Sequence, residues 1–193
     1  MRAFGEDVRA VADVVGGEQL ILVGHSMGGL VIAEAARLLP GRVLGLIGVD
    51  SLQDLDFPVT EERAAEIVAP LEADFPTACR QFAASMIRPD SGAELAAWIQ
   101  ADMAAAPKEV ALSAMREYMA QWITGAGPAV FEELPLPVVG VCADLWPVNA
   151  EANRRHMHSF QAIVLDGTDH FLMLSAAKKF NRALEEAIAK IES

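Results

Sequence analysis

Apolar positions fall along the chain with two different periods. Phe4, Val8, Val11 and Val15 recur at i, i+4, i+7 and i+11, which predicts an amphipathic helix over residues 2–15, stopped by Gly16-Gly17. "QLILV" (19–23), "RVLGLIGVD" (42–50), "PLPVVGVCAD" (135–144) and "FQAIVLDG" (160–167) are short continuous apolar runs, as expected of strands covered on both faces. Between them, "GLVIAEAARLL" (29–39) has only Glu34 and Arg37 as polar positions and predicts a largely buried helix ended by Pro40-Gly41. "NAEANRRHMH" (149–158) predicts a further short helix. The last helix, capped by Ser175, carries a stripe of Phe180, Leu184, Ala187 and Ile191. Strands alternating with helices imply an α/β fold, a parallel sheet with right-handed crossovers and flanking helices.

Residues 55–130 break that alternation. They contain helical patterns and start signals but no strand pattern: Ser91 and Glu94 at capping-box spacing, and Pro107 at a first turn, with "ITGAGP" (123–128) as an exit linker. The expected organisation is a core of residues 1–54 and 131–193 with a helical cap inserted at 55–130.

Composition narrows the function classes. The chain has 193 residues, 53% of them hydrophobic and 22% charged, enough for one packed domain and too apolar for disorder. A net charge of −12 repels phosphate backbones and anionic lipid head groups, so neither nucleic acid nor membrane is an expected partner. Residues 1–15 offer no secretory pattern, and no apolar run approaches the ~20 residues of a membrane span. Cys79 and Cys142 lie in apolar surroundings and are expected to be buried free thiols, consistent with a cytoplasmic location. The four histidines lack metal-ligand spacing and no phosphate-cradling glycine loop is present, so neither a metal nor an organic cofactor is expected.

One segment carries nucleophile chemistry. "GHSMG" (24–28) fits G-x-S-x-G with an apolar strand before it and a helix directly after it. Such a turn holds Ser26 in a strained conformation, and Gly24 and Gly28 are expected to lack the Cβ atoms that would collide there. A serine needs a base, and in this topology the order is serine, acid, histidine. His170 follows the fourth strand and is the expected base, whereas His156 and His158 fall on a polar helix, and His25 packs beside the site. Asp144, at the end of the third strand, is the expected acid. Asp50, at the end of the second, is its competitor, and Asp166 and Asp169 lie too near His170 in sequence to reach its far nitrogen easily.

With "LVGHSMGG", "ADLWPVN" and "GTDHFLML" in this order, the chain resembles the α/β-hydrolase superfamily, in its lid-bearing esterase, lipase and cofactor-free haloperoxidase-like group. The resemblance implies a sheet with the serine-bearing strand central and an oxyanion hole with the Met27 backbone N–H as one donor. The family's upstream strands, and the loop that gives the second donor, have no counterpart before the first helix. "QLILV" is therefore expected at a sheet edge, with self-association through it. The expected activity is hydrolysis of carboxylic esters of small to medium apolar acids through an acyl-enzyme on Ser26. His25, Trp146, Phe171, Met119 and Trp122 are expected to contact substrate. The alternatives are a weakly active or inactive small-molecule sensor on the same fold, or a carbon–carbon bond hydrolase or perhydrolase.

Overall fold

The computed structural model describes residues 1–192. In chain order it contains α1 (Arg2–Val15), β1 (Leu20–His25), α2 (Gly28–Arg37), β2 (Val43–Val49), α3 (Glu61–Ala73), α4 (Phe75–Ala84), α5 (Ala93–Ala104), α6 (Lys108–Ile123) and α7 (Ala126–Glu132). These are followed by β3 (Pro137–Ala143), α8 (Ala150–His156), β4 (Ser159–Leu165), α9 (Leu172–Ser175) and α10 (Ala177–Glu192). The strands form one parallel sheet in the order β1-β2-β3-β4. This is the α/β arrangement that the apolar runs predict.

Alternation along each strand divides the core in two. Leu46, Val138 and Phe160 face the layer that includes α2, whereas Ile47, Val49, Val139, Val141 and Leu165 pack against α10. Phe180, Leu184, Ala187 and Ile191 all pack into that second cluster, as their spacing predicts. The two polar positions of α2 are reconciled with its burial by pairing: Arg37 Nη2 lies 2.8 Å from Glu34 Oε2.

Helix α1 forms where its periodicity predicts, but it packs on a different face. Val11, Val14 and Val15 are exposed, and the helix buries Gly5 and Ala12 against α2. The reason is approach distance: a Cβ on Gly5 would sit 2.9 Å from Glu34 Cβ, so only small residues fit this crossing. Strand β1 pairs only with β2 among the described residues and leaves Val23 exposed at the sheet edge.

Residues between β2 and β3 contain five helices and no strand. The local signals there needed correction. Gly92, not Ser91, is the N-cap of α5, with no side-chain cap bond, and the Ser91 hydroxyl reaches elsewhere. Residues 126–128 begin α7 instead of continuing a linker. Ser175 likewise ends α9, and its hydroxyl donates to Asp169 Oδ1 at 3.0 Å instead of capping α10. In each case a tertiary partner or a helix-forming neighbour outweighed the local pattern. Cys79 and Cys142 are buried free thiols, and burial pushes the Cys142 thiol up to about 12.

Candidate active site

Parallel strands deliver their C-terminal ends to one side of the sheet, and four chemically relevant loops begin there. His25 pairs with Val49, so the next residues of β1 and β2, Ser26 and Asp50, stand side by side. The Ser26 N–H donates to Val49 O at 3.0 Å, and the Asp50 N–H donates to Val141 O at 2.9 Å, prolonging both ladders by one step.

Ser26 (φ 54) and Asp50 (φ 42) are the two non-glycine residues with left-handed backbone among those described. Such conformations cost of order 1–3 kcal/mol each and persist only where the surroundings enforce them. At Ser26 the enforcing contact is visible. A Cβ on Gly24 would lie 2.2 Å from Gly28 O, so β1 and the start of α2 approach more closely than any other residue type allows. A Cβ on Gly28 would meet nothing within 4 Å, so the collision expected there does not exist. The critical second glycine is Gly29, whose Cβ would fall 2.3 Å from Ser51 Oγ. Met27 is the N-cap of α2, which places its backbone at the positive end of the helix dipole.

His170 is buried, and its Nδ1–H donates to Asp50 Oδ2 at 2.6 Å. Asp50 is itself held: its Oδ1 accepts the Ala143 N–H and the Gln53 amide, both at 2.9 Å. Every hydrogen bond to Asp50 ends on its carboxylate as acceptor, and that acceptor beside Nδ1 sets the imidazole tautomer. Neutral His170 therefore carries its proton on Nδ1 and presents a free lone pair on Nε2.

Asp144 is not the partner of His170. Its carboxylate accepts the Gly167 N–H at 2.9 Å and the Thr168 N–H at 3.1 Å, and Arg88 Nη1 lies 3.6 Å away. It clamps the turn leading to His170, and these bonds, the one from Gly167 foremost, hold its pKa below the ordinary carboxylate range. Both aspartates end parallel strands at the same side of the sheet. Asp50, the left-handed residue directly after β2, is the one that reaches the imidazole.

Three of the five expected contact residues, His25, Phe171 and Trp146, surround the same imidazole, whereas Met119 and Trp122 line a neighbouring cavity with Trp146. The His170 ring lies 4.5 Å from that of His25, 5.3 Å from Phe171 and 5.6 Å from Trp146, centre to centre. Burial first, and then the neighbouring His170, push His25 down to about 4, so it is neutral near pH 7. Its Nε2–H donates to the His170 carbonyl at 2.8 Å, tying the residue before Ser26 to the histidine. Trp146 also lines a cavity of about 330 Å³ with Met119, Trp122, Phe57 and Ser51. A larger open cleft of about 830 Å³ lies between α1 and α6, away from these groups. His156 is far from the site: it bridges Asp56 and Glu132, with both contacts at 2.6 Å, and His158 is exposed.

Asp169 is the residue that sequence reasoning set aside. It is fully buried, with Oδ1 accepting the Phe171 N–H and the Ser175 hydroxyl, and Oδ2 accepting the Arg88 N–H and the Ser91 hydroxyl. No sequence pattern signals this, because two of its partners lie about eighty residues upstream.

Among the described residues no group of three or more acidic, cysteine or histidine side chains is arranged to hold a metal, and no helix is long and apolar enough to cross a membrane.

Among solved structures, a bromoperoxidase from Bacillus anthracis superposes with a TM-score of 0.79 at 16% identity, covering 96% of this chain and 72% of its own. A thermophilic esterase from Thermogutta terrifontis gives 0.78 at 20% identity, over 100% and 73% of the two chains. An esterase from Exiguobacterium antarcticum gives 0.77 at 15%, over 98% and 72%. At these identities the likeness establishes the fold. No curated protein matches by sequence. A family model described as "Alpha/beta hydrolase family" matches residues 2–183, and with the parallel sheet and the strand–turn–helix around Ser26 it shows that the chain belongs to the α/β-hydrolase family.

Proposed function

We propose that the protein is a serine hydrolase that cleaves carboxylic esters of small to medium apolar acids. The observation that carries this reading is a buried His170–Asp50 pair at the strand ends where Ser26 follows β1 in a strained turn, with His25, the residue before Ser26, bonded to the His170 carbonyl. Ser26 Oγ attacks the ester carbonyl as His170 Nε2 accepts its proton, and the Asp50 carboxylate stabilises the imidazolium. The negative charge developing on the carbonyl oxygen is met by the Met27 N–H at the start of α2. The alkoxide leaves with the proton from His170, and water activated by the same imidazole releases the acid. Helices α3–α6 serve as a cap, and the cavity walls of Phe57, Met119, Trp122 and Trp146 favour an apolar acyl group.

Incubation with a fluorophosphonate, followed by intact mass and peptide mapping, tests the reading. A single adduct on Ser26, absent from Ser26→Ala, is expected. A folded protein that stays unlabelled overturns it and leaves a binding role for the pocket. Self-association through the β1 edge belongs to the same reading. Light scattering should show a species larger than one chain that Val23→Lys dissociates, and a monomeric parent would refute it.

A further inference from the structure

We propose that Asp169 is a positioning residue for His170, and that it acts by locking segment 86–91, between α4 and α5, to the loop that carries the histidine. The inference rests on the assignment of His170 as base.

Asp169 Oδ1 is satisfied from its own side, by Phe171 N–H and Ser175 Oγ, each at 3.0 Å. Asp169 Oδ2 is satisfied from the other side, by Arg88 N–H at 3.2 Å and by the Ser91 hydroxyl. The backbone N–H of His170 itself donates to Met86 O at 3.2 Å. Phe171 packs with Met86, Ala83 and Ile99 in one apolar cluster. His170 is thus held on three sides: Asp50 orients its ring, His25 binds its carbonyl, and segment 86–91 binds its N–H and the preceding carboxylate.

A buried carboxylate is costly unless its lone pairs are used, and here half of them depend on segment 86–91. If that segment shifts away, Oδ2 loses both of its donors. The segment and the histidine loop therefore move together or not at all. This end of the inter-strand helices is a fixed part of the base alignment, and none of residues 86–91 lines the cavity of about 330 Å³.

The test compares Ser91→Ala and Asp169→Asn with the parent, using Ser85→Ala as a control, since the Ser85 hydroxyl bonds only within its own segment, to Phe82 O. Two quantities are read: kcat and KM on p-nitrophenyl butyrate, and the downfield NMR resonance of the His170 Nδ1 proton. Ser91→Ala should lower kcat by roughly ten- to a hundredfold with little change in KM, the scale of a misplaced catalytic group. The Nδ1 proton resonance should shift or broaden in the same sample. Asp169→Asn should do more, because its amide nitrogen on either side would face a backbone N–H, that of Phe171 or of Arg88, while Ser85→Ala should leave both readouts at parent values. If Asp169→Asn fails to fold, Ser91→Ala decides alone. An unchanged resonance and kcat in folded Ser91→Ala, or an equal loss in Ser85→Ala, would overturn the proposal. A parent that neither labels nor hydrolyses removes the serine-hydrolase reading instead, and the resonance then decides whether Asp169 positions the ring.

Discussion

His170 Nδ1 stands 2.6 Å from Asp50 Oδ2, and both groups are almost wholly withdrawn from solvent. Replacing the carboxylate by an amide keeps the shape and removes the charge. Asp50→Asn would favour the tautomer with its proton on Nε2, where a base must have a lone pair. Turnover should fall on the order of 10⁴-fold, the loss the equivalent exchange causes in a serine protease. Asp144→Asn keeps one acceptor for the 167–168 turn and should cost far less. Steady-state rates of the two purified variants decide the matter, and a larger loss at Asp144 would return the acid to β3.

The contrast between those aspartates shows what one sequence reveals. The strand before Ser26 was legible as a short apolar run bounded by glycines, although at the sheet edge it is only half-buried, and the turn was legible because glycines flank a lone serine. Which strand end supplies the acid was not legible. Asp50 and Asp144 follow equally apolar strands, and only their partners in the packed structure tell them apart: His170 for Asp50, the 167–168 turn for Asp144. Ser91 illustrates the opposite error. Its spacing to Glu94 satisfies a local capping pattern, yet the hydroxyl serves a carboxylate 78 residues away. Valines of α1 misled for a third reason: the helix buries its smallest residues, since these let it approach α2.

Removing the nucleophile should leave only background chemistry. Ser26→Ala is expected to lower turnover of short p-nitrophenyl esters by about 10⁶-fold, as loss of the serine does in related chemistry. Alanine keeps the Cβ that strains the backbone at φ 54, so thermal stability should stay close to the parent's. Parent-like turnover in a purified Ser26→Ala sample would end the assignment.

The two glycines of the turn should respond oppositely. Gly24→Ala places a methyl 2.2 Å from the Gly28 carbonyl oxygen, a backbone atom that cannot yield without moving α2. It should destabilise by about 1–3 kcal/mol or more, with loss of Ser26 labelling. Gly28→Ala meets nothing within 4 Å at the first residue of α2, where alanine is the better helix former. Its effect should range from neutral to a gain of up to about 1 kcal/mol. Urea unfolding of both variants checks the pair, and equal losses would contradict the observed packing.

Acid stability should report His25. Its folded pKa is about 4 against 6.5 in the open chain, because burial and the nearby His170 disfavour the imidazolium. Between those values the unfolded chain binds the extra proton, so stability is complete above about pH 6.5 and declines as the pH falls toward 4. The 2.5-unit span corresponds to about 3 kcal/mol at its limit. Asp56 and Asp144 have lowered values, so their contributions decline only as the pH falls through the range below 3.8. His156, raised by Asp56 and Glu132, acts in the reverse sense, stabilising at low pH and losing that contribution as the pH rises through its folded value. His25→Gln keeps a donor for the His170 carbonyl and removes the titration. Urea unfolding at pH 7.5 and 4.5 should therefore show a smaller acid loss in His25→Gln than in the parent. Parallel losses in the two proteins would mean that His25 is not the group responsible.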